Sequence, residues 1–552
     1  MTRAAFPAVD AVDRARWTNA GLWLDRTLHD YFDETVARLP DRVAIVAGDR
    51  RITFGQWAQE ATRLAAGLVR LGIRAGDIVT VQLPNWPEMC AIQIALSRIG
   101  AVIQPMHMVY RQREMASMLR FCDSRAVILA AEYQGFDHGA ALAEIRAELP
   151  DLEFAVTVRG RREGMTTYDD LLTSTDGLAD YAAAHPAHGD DVFYLNFTSG
   201  TEGDPKGFLH THNTLLSVLK RFADMQHAAD PTAADDVILA NSPMSHSFGH
   251  ITTHQVLMRG IRMVLVERFS PGETLRLIER ERVTAISGTP AHLISLLHSP
   301  EFRATDTSSV KSVGVGGAQC PPQLMQDIET TFGVRIGNTY GMGENIVHTR
   351  TLSTDPAEIV RTTVGLPVPG AELAIFGDDH QTALGIDEIG EVAFRGPTLF
   401  LGYYKQPELT RATRNAQGWF FTGDSGFVDA RGYLHLVGRK KELINRGGTK
   451  IFPKEIEDLL HAHPKIVRAA VVGAPDYRLG ERVCAYVELV RGETLDLSEL
   501  RADLLDRKVM KYLIPERLEV VEALPLTPTG KIKKSPLVAD ITAKLERERL
   551  SV

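Results

Sequence analysis

The chain has 552 residues, too many for one ordinary domain, so two or more packed units are expected. Hydrophobic residues make up 44% of it and charged residues 24%, with Gly and Pro scattered, which excludes a disordered or fibrous protein. The formal net charge of -9 disfavours nucleic acid as a partner, although local basic clefts could still hold anionic cofactors.

Cys90, Cys122, Cys320 and Cys484 lie far apart and form no Cys-x-x-Cys pair. Neither a disulfide framework nor a zinc ribbon fits that spacing, and a reducing cytoplasm is the simpler reading. The N-terminal segment carries acids where a secretory signal needs an apolar run. No uninterrupted apolar stretch of about 20 residues, the length a membrane span requires, is found. A soluble, cytoplasmic protein without a membrane span is expected.

In chain order, Val43–Val46 reads as a strand, and Thr53-Phe54-Gly55-Gln56 as a capping box opening a helix through Trp57, Leu64, Leu68 and Leu71. Strands at Ile78–Leu83, Ala101–Gln104 and Ala126–Ala130 alternate with helices at Glu88–Arg98 and Gln112–Phe121. Such alternation implies parallel pairing, because parallel strands need a crossover between them. The pattern returns between 235 and 315, with strands at Val237–Ala240, Met263–Val266 and Ala285–Gly288 and a helix at Thr274–Glu281.

After about Pro369 the texture changes to short strands and glycine turns: Leu373–Ile375, Glu391–Arg395 and Gly432–Val437. The charged stretch Gly438-Arg439-Lys440-Lys441-Glu442 reads as a connector. Beyond it lies a compact α+β pattern. Pro453 stands at a first helical position before Ile456, Leu459 and Leu460. Strands at Val467–Val472, Arg482–Leu489 and Arg517–Val521 and a helix near Leu497–Arg507 complete it.

The stretch Thr198-Ser199-Gly200-Thr201-Glu202-Gly203-Asp204-Pro205-Lys206-Gly207 follows a strand-like apolar run. Its small residues let backbone N–H groups approach phosphate oxygens, and Lys206 adds positive charge. A Walker loop is excluded because the Gly-Lys-[Ser/Thr] ending is absent. A polar surface turn is the competing reading. Asn338-Thr339-Tyr340-Gly341-Met342-Gly343-Glu344 offers an aromatic face and an amide to a base, and a carboxylate to Mg²⁺. Thr422-Gly423-Asp424 could present a carboxylate to ribose hydroxyls, and Pro525–Lys531 is a stiff loop presenting one lysine. Plain turns compete with each of these.

Taken together and in this order, the segments resemble the adenylate-forming superfamily of acyl-CoA ligases, aryl-acid ligases, peptide-synthetase adenylation domains and luciferases. Gly316-Gly317-Ala318, Val364–Pro367, Gly390-Glu391, Arg395-Gly396-Pro397, Gly402-Tyr403-Tyr404 and Arg446-Gly447-Gly448 extend the resemblance, which runs from about Trp17 to Leu537. It implies an α/β protein. A large N-terminal domain, 1–438, would hold stacked α/β subdomains plus a β-rich subdomain, and a small mobile α+β domain would span 439–552.

The resemblance also implies roles. Thr198, Ser199, Gly200, Thr201 and Lys206 would form the phosphate loop, and Gly317, Ala318, Asn338 and Tyr340 would bound adenine. Asp424 and Arg439 would hold ribose, and Glu344, with Thr201, would hold Mg²⁺. Lys531 would bridge the carboxylate substrate and the α-phosphate. Lys441 would be the hinge, and Gly447 and Gly448 would flank a pantetheine tunnel. His246 would line the acyl pocket near the carboxylate, with Ser247, Phe248, Gly316 and Met342 around it; for Met342, ordinary packing competes. Two positions depart from the family pattern, Glu202 and Gly343, each standing where a threonine is usual.

His246, His250 and His254 recur at four-residue spacing, but no acidic or cysteine partner is near and Gly249 weakens a helix there, so a metal site is not favoured. Ser247 stands where amino-acid-activating relatives carry an aspartate, and serine cannot neutralise a buried ammonium. The expected function is therefore ATP-dependent activation of a non-amino acid (medium-length, alicyclic or aromatic) followed by transfer to CoA. The expected cofactors are ATP, Mg²⁺ and coenzyme A. Competing readings are an adenylation enzyme loading a carrier-protein phosphopantetheine, a luciferase-like oxygenase and a non-catalytic nucleotide sensor. A homodimer is a compatible assembly.

Overall fold

In the computed structural model, residues 6–197, 206–229, 235–318, 320–352, 354–527 and 530–550 are described. The alternation read after residue 78 folds as parallel pairing. Val102–Pro105 lies between Val192–Phe197 and Ile78–Gln82, followed by Ala126–Ala130 and Phe154–Val158. Helices Pro87–Arg98 and Gln112–Phe121 make the crossovers that parallel neighbours require. Ile78–Gln82 and Ala126–Ala130 are buried along their whole length, because apolar cores lie on both faces of this sheet. The hairpin Val192–Phe197 and Gly207–Thr211 carries the sheet on to Gly402–Tyr403.

Val43–Ala47 does not join that sheet. It pairs parallel to Arg262–Leu265 in a second one, whose parallel strands continue through Val237–Ala240, Ala285–Gly288, Ser312–Val315 and Ile336–Tyr340. Both faces of the strand are apolar, with Ile45 in one core and Val46 in the other, so it fits an interior position. Thr53 and Gln56 do form the capping box: Gln56 N–H donates to Thr53 Oγ1 at 3.2 Å and Thr53 N–H to Gln56 Oε1 at 2.9 Å. Helices Leu28–Arg38, Phe54–Leu71, Pro87–Arg98 and Ser247–Arg259 pack between the two sheets in one shared core. Helices Pro271–Glu281, Pro290–Leu297 and Pro322–Phe332 cover the outer face of the second sheet. The stack is helix, sheet, helix, sheet, helix.

The glycine-rich texture after 369 is an antiparallel sheet of Glu372–Phe376, Gly390–Arg395, Phe420–Val428 and Leu434–Arg439. Its last strand begins later than the sequence suggested and runs on through Gly438 and Arg439, because Asp424 and Arg439 stand opposite each other in the ladder. The connector shrinks to the 3₁₀ turn Lys440–Glu442. Beyond it, Ile444–Arg446, Thr449–Ile451, Ile466–Asp476, Gly480–Leu489 and Arg517–Val520 form one sheet. Pro453–His461 and Leu497–Asp506 bury Ile456, Leu460, Leu500 and Leu504 on one face of it. The other face is covered by Lys534–Leu550, a helix the sequence pattern did not announce. No helix among the described residues is long and apolar enough to cross a membrane.

Candidate active site

Arg439 Nε lies 3.3 Å from Asp424 Oδ1, and the Tyr340 hydroxyl donates to Asp424 Oδ2 at 2.5 Å. Gly423, at φ +75°, turns the strand so that Thr422 Oγ1 accepts the Asp424 N–H at 3.0 Å. Burial lifts the Asp424 carboxyl above its ordinary range, and Arg439, the Tyr340 hydroxyl and Lys531 pull it back. Arg439 is held more firmly protonated than usual, chiefly by Asp424. The result is a buried carboxylate with one firmly charged neighbour, suited to accept hydrogen bonds from vicinal hydroxyls.

Asn338 and Tyr340 stand on strand Ile336–Tyr340 above this pair. The Asn338 side-chain Nδ2–H donates to the Thr363 carbonyl at 2.9 Å, so the amide turns its oxygen, an acceptor, to any ligand. Strand Ser312–Val315 delivers Gly316 and Gly317 alongside. A β-carbon at Gly316 would lie 3.1 Å from Phe248 Cε2, and Gly317 takes φ +77° beside Thr289. Ala318 follows directly.

Glu344 is buried, accepts the Tyr403 hydroxyl at Oε1 (2.8 Å), and has its own carbonyl bound by the Phe400 N–H at 2.7 Å. Burial lifts its carboxyl, opposed by Tyr403 and by the charges of Lys206 and Arg439. No lysine or arginine nitrogen is within ion-pair distance of it among the described residues. A buried carboxylate in that state favours a hard cation, and Mg²⁺ fits the oxygen donor. Gly343 precedes it with no room for a side chain: a β-carbon there would lie 2.2 Å from Phe208 Cε1.

Lys531 enters from the C-terminal part. Its loop is closed by Thr527 N–H to Lys531 O at 2.7 Å and Lys531 N–H to Thr527 Oγ1 at 3.0 Å. Gly530, at φ +80°, docks on the first turn of helix Pro290–Leu297, where its β-carbon would lie 3.0 Å from Ala291 Cβ. Lys531 then walls a narrow pocket with Pro243, His246, Phe248, Thr289 and Gly317. Burial and Arg439 lower its ammonium to about 8, while Asp424 and Glu344 hold it up.

His246 caps the helix Ser247–Arg259, its ring accepting from the Phe248 N–H, and so stands outside the helix that its spacing suggested. Burial, Lys531 and His107 push it down to about 3, so it is neutral. The Ser247 hydroxyl meets the buried Tyr194 hydroxyl at 3.2 Å, which also takes Asn196 Nδ2–H at 2.6 Å. His250 stacks on Tyr194, and His254 bonds Gln93. Met342 is half-buried and packs on the central core.

Thus Lys531, His246, Phe248 and Gly317 line one pocket, and Asp424, Arg439 and Glu344 are near enough for their charges to act on Lys531. Tyr340 bonds Asp424 and Gly316 packs on Phe248, while Asn338 and Ser247 stand on the strand and helix that carry Tyr340 and Phe248. Lys206 is exposed just before strand Gly207–Thr211. Thr198, Ser199, Gly200 and Thr201 lie outside the described residues. Gly447 and Gly448 form the turn between Ile444–Arg446 and Thr449–Ile451 and are not in the wall of the Lys531 pocket. Sequence reasoning missed Thr289, His292, Ser242 and Tyr403. Tyr403 sat inside a matched motif without a role, and Thr289-Pro290 carried only a helix-start signal.

The profile described as AMP-binding enzyme matches residues 32–404, and that described as AMP-binding enzyme C-terminal domain matches 455–531. The chain is 33% identical to the medium-chain fatty-acid–CoA ligase of Escherichia coli (strain K12), over 97% of its own length and 94% of the relative's. It is also 33% identical to the 2,3-dihydroxybenzoate-AMP ligase of Bacillus subtilis (strain 168), over 95% of each. Among solved structures, the anthranilate CoA ligase AuaEII in complex with anthranoyl-AMP superposes with a TM-score of 0.84 at 26% identity, covering 96% of this chain and 99% of that one. ATP-bound MatB from Rhodopseudomonas palustris gives 0.79 at 26% identity, covering 93% and 99%. With a lysine of its C-terminal part lining a pocket of the N-terminal part, and matches along nearly its whole length, the chain belongs to the AMP-binding enzyme family.

Proposed function

We propose that this enzyme joins a non-amino carboxylic acid to ATP as an acyl-adenylate and then transfers the acyl group to the thiol of coenzyme A. The observation that carries the reading is Lys531, a half-buried cation brought by the C-terminal part into a pocket within electrostatic reach of Asp424, Arg439 and Glu344. A carboxylate must approach a triphosphate for this chemistry, so catalysis is alignment plus offset of negative charge.

In the first half-reaction a carboxylate oxygen attacks the α-phosphorus and pyrophosphate leaves. The Lys531 ammonium would span the attacking oxygen and the α-phosphate oxygens, where charge accumulates. Asp424 would accept from the ribose hydroxyls, with Arg439 fixing its carboxylate. Asn338, Tyr340, Gly317 and Ala318 would bound the adenine, and Lys206, with Thr198, Ser199, Gly200 and Thr201, the phosphates. Glu344 and Thr201 would hold Mg²⁺, which when bound neutralises phosphate charge. His246, being neutral, can face the carboxylate without trapping it as an ion pair.

In the second half-reaction the thiol attacks the carbonyl carbon and AMP leaves. Lys441 would serve as the hinge, with the domain boundary between 438 and 439, and rotation there would bring Gly447 and Gly448 to the thiol's path. Among the described residues, the wall around Lys531 carries no carboxylate to pair with an α-ammonium, which supports a non-amino substrate. Phe248, Gly316 and the Tyr194–Ser247 pair suit a medium-length, alicyclic or aromatic acid. The four cysteines are free and buried, in keeping with a reducing cytoplasm.

Similarity to an aryl-acid AMP ligase supports one second reading, loading of a carrier-protein phosphopantetheine. The test is pyrophosphate release across a panel of acids with ATP, in the presence of CoA, a phosphopantetheinylated carrier, or neither. Sustained turnover with CoA is expected. Turnover with the carrier alone would favour the second reading, and no release with any acid would overturn both.

A further inference from the structure

Lys534 stands three residues beyond Lys531, at the start of helix Lys534–Leu550. Its Nζ lies 2.8 Å from Glu442 Oε2 and 2.8 Å from Glu457 Oε1. Glu442 closes the connector turn Lys440–Glu442. Glu457 belongs to helix Pro453–His461 and also accepts the Val471 N–H at 2.8 Å, which fixes it within the C-terminal sheet. Burial alone would lower an ammonium here, and Glu457 and Glu442 together hold it above the ordinary lysine range.

A second grip lies before the hinge position. Lys440 Nζ is 3.0 Å from Asp378 Oδ1, in the turn after strand Glu372–Phe376, and 3.0 Å from Glu391 Oε2, on strand Gly390–Arg395 of the N-terminal part. Lys441, between the two grips, makes no side-chain hydrogen bond or ion pair among the described residues. Its neighbours on either side are therefore each tied to a different body.

The loop of Lys531 is knotted by its own backbone, with Thr527 bound to Lys531 O and Lys533 N–H to Pro525 O at 2.7 Å. Those bonds shape the loop but do not aim it. Gly530 seats the loop against Ala291, and the loop's other fixed end is where it enters the last helix, at Lys534. We propose that Lys534 is a positioning residue for Lys531: by holding Glu442, it ties the loop's direction to the connector, so that the swing at Lys441 carries the lysine as one rigid unit. This rests on the roles given above for Lys531 and Lys441.

Neutralising Glu442 leaves Lys534 paired with Glu457, a balanced pair that still anchors the last helix, so the fold is spared. The test compares Glu442→Gln, Glu442→Asp and Lys531→Ala with the unmodified enzyme, using the acid selected by the pyrophosphate panel. Glu442→Gln should slow single-turnover acyl-AMP formation about tenfold through misalignment of the lysine. The KM for ATP, the melting temperature and thioester formation from supplied acyl-AMP should stay unchanged, and Glu442→Asp should restore most of the rate. In the protein without substrate, labelling of Lys531 by acetic anhydride, read by mass spectrometry, should rise with Glu442→Gln. Unchanged adenylation and labelling, or equal loss in both half-reactions, would overturn the coupling. If Lys531→Ala loses adenylation while Glu442→Gln does not, only the coupling falls. If neither variant loses it, the role of Lys531 falls too.

Discussion

Asp424 and Arg439 face each other across an antiparallel strand pair, with Arg439 Nε 3.3 Å from Asp424 Oδ1, on the strand that leads straight into the connector. The carboxylate that would read ribose is thus linked by one ion pair to the residue directly before the turn that would move the C-terminal part. Asp424→Asn keeps the shape but removes the charged acceptor. It should weaken ATP binding by about 1.5–3 kcal/mol, measured by calorimetry. An unchanged affinity would reduce Thr422-Gly423-Asp424 to a turn.

Lys531 gives the pH dependence. Its ammonium is lowered to about 8 by burial and Arg439, so it is charged below that pH and neutral above it. Adenylation needs the charged form, and kcat/KM for acyl-AMP formation should therefore fall as pH rises through about 8. Bound phosphates favour the cation, so the same limb in kcat should lie at higher pH. Lys531→Ala should lack the limb altogether. A flat profile in the unmodified enzyme would show that this amine does not act as a cation in the step.

Phe208 explains the departure at Gly343. The ring occupies the room a side chain at 343 would take, with Cε1 2.2 Å from where the β-carbon would stand. Gly343→Thr should destabilise the protein by about 1–3 kcal/mol through overpacking. The double change Gly343→Thr with Phe208→Val should recover most of that loss. A double-mutant cycle in urea measures the coupling, and additive effects would mean the two positions do not compete for space.

What could be read in the sequence was what depends on near neighbours. The Thr53–Gln56 capping box and the proline-started helix at 453 involve residues a turn apart, and both formed as expected. Strand order depends on which sheet a two-faced apolar strand enters, and Val43–Ala47 carried no mark of its partner Arg262–Leu265. The candidate site was legible through motif resemblance, one segment at a time. Its joints were not. Tyr403 reaches Glu344 over a separation of 59 residues, and Gly530 meets Ala291 only once two bodies have docked. The pairing of Asp424 with Arg439 also depends on a register shift at Ser425 and Gly426, which no local pattern signals.

The hinge should separate from the chemistry. Lys441 sits in the 3₁₀ turn between two ion-paired neighbours, and proline there fixes φ near about −65° and removes an N–H. Lys441→Pro should keep single-turnover acyl-AMP formation and largely lose transfer to CoA. The reverse pattern would mean that the resting enzyme favours the thioester-forming arrangement. Matching rates in both steps would move the hinge, and the boundary at 438/439, elsewhere.

If Lys531 serves the adenylation step alone, Lys531→Ala must split the two half-reactions. Rapid-quench measurement of acyl-AMP formation from ATP and acid should show a loss of about 100-fold or more, as expected when a group aimed at developing charge is removed. Thioester formation from supplied acyl-AMP and CoA should proceed at close to the unmodified rate. An equal fall in both steps, or no fall in the first, would show that Lys531 has no such step-specific role.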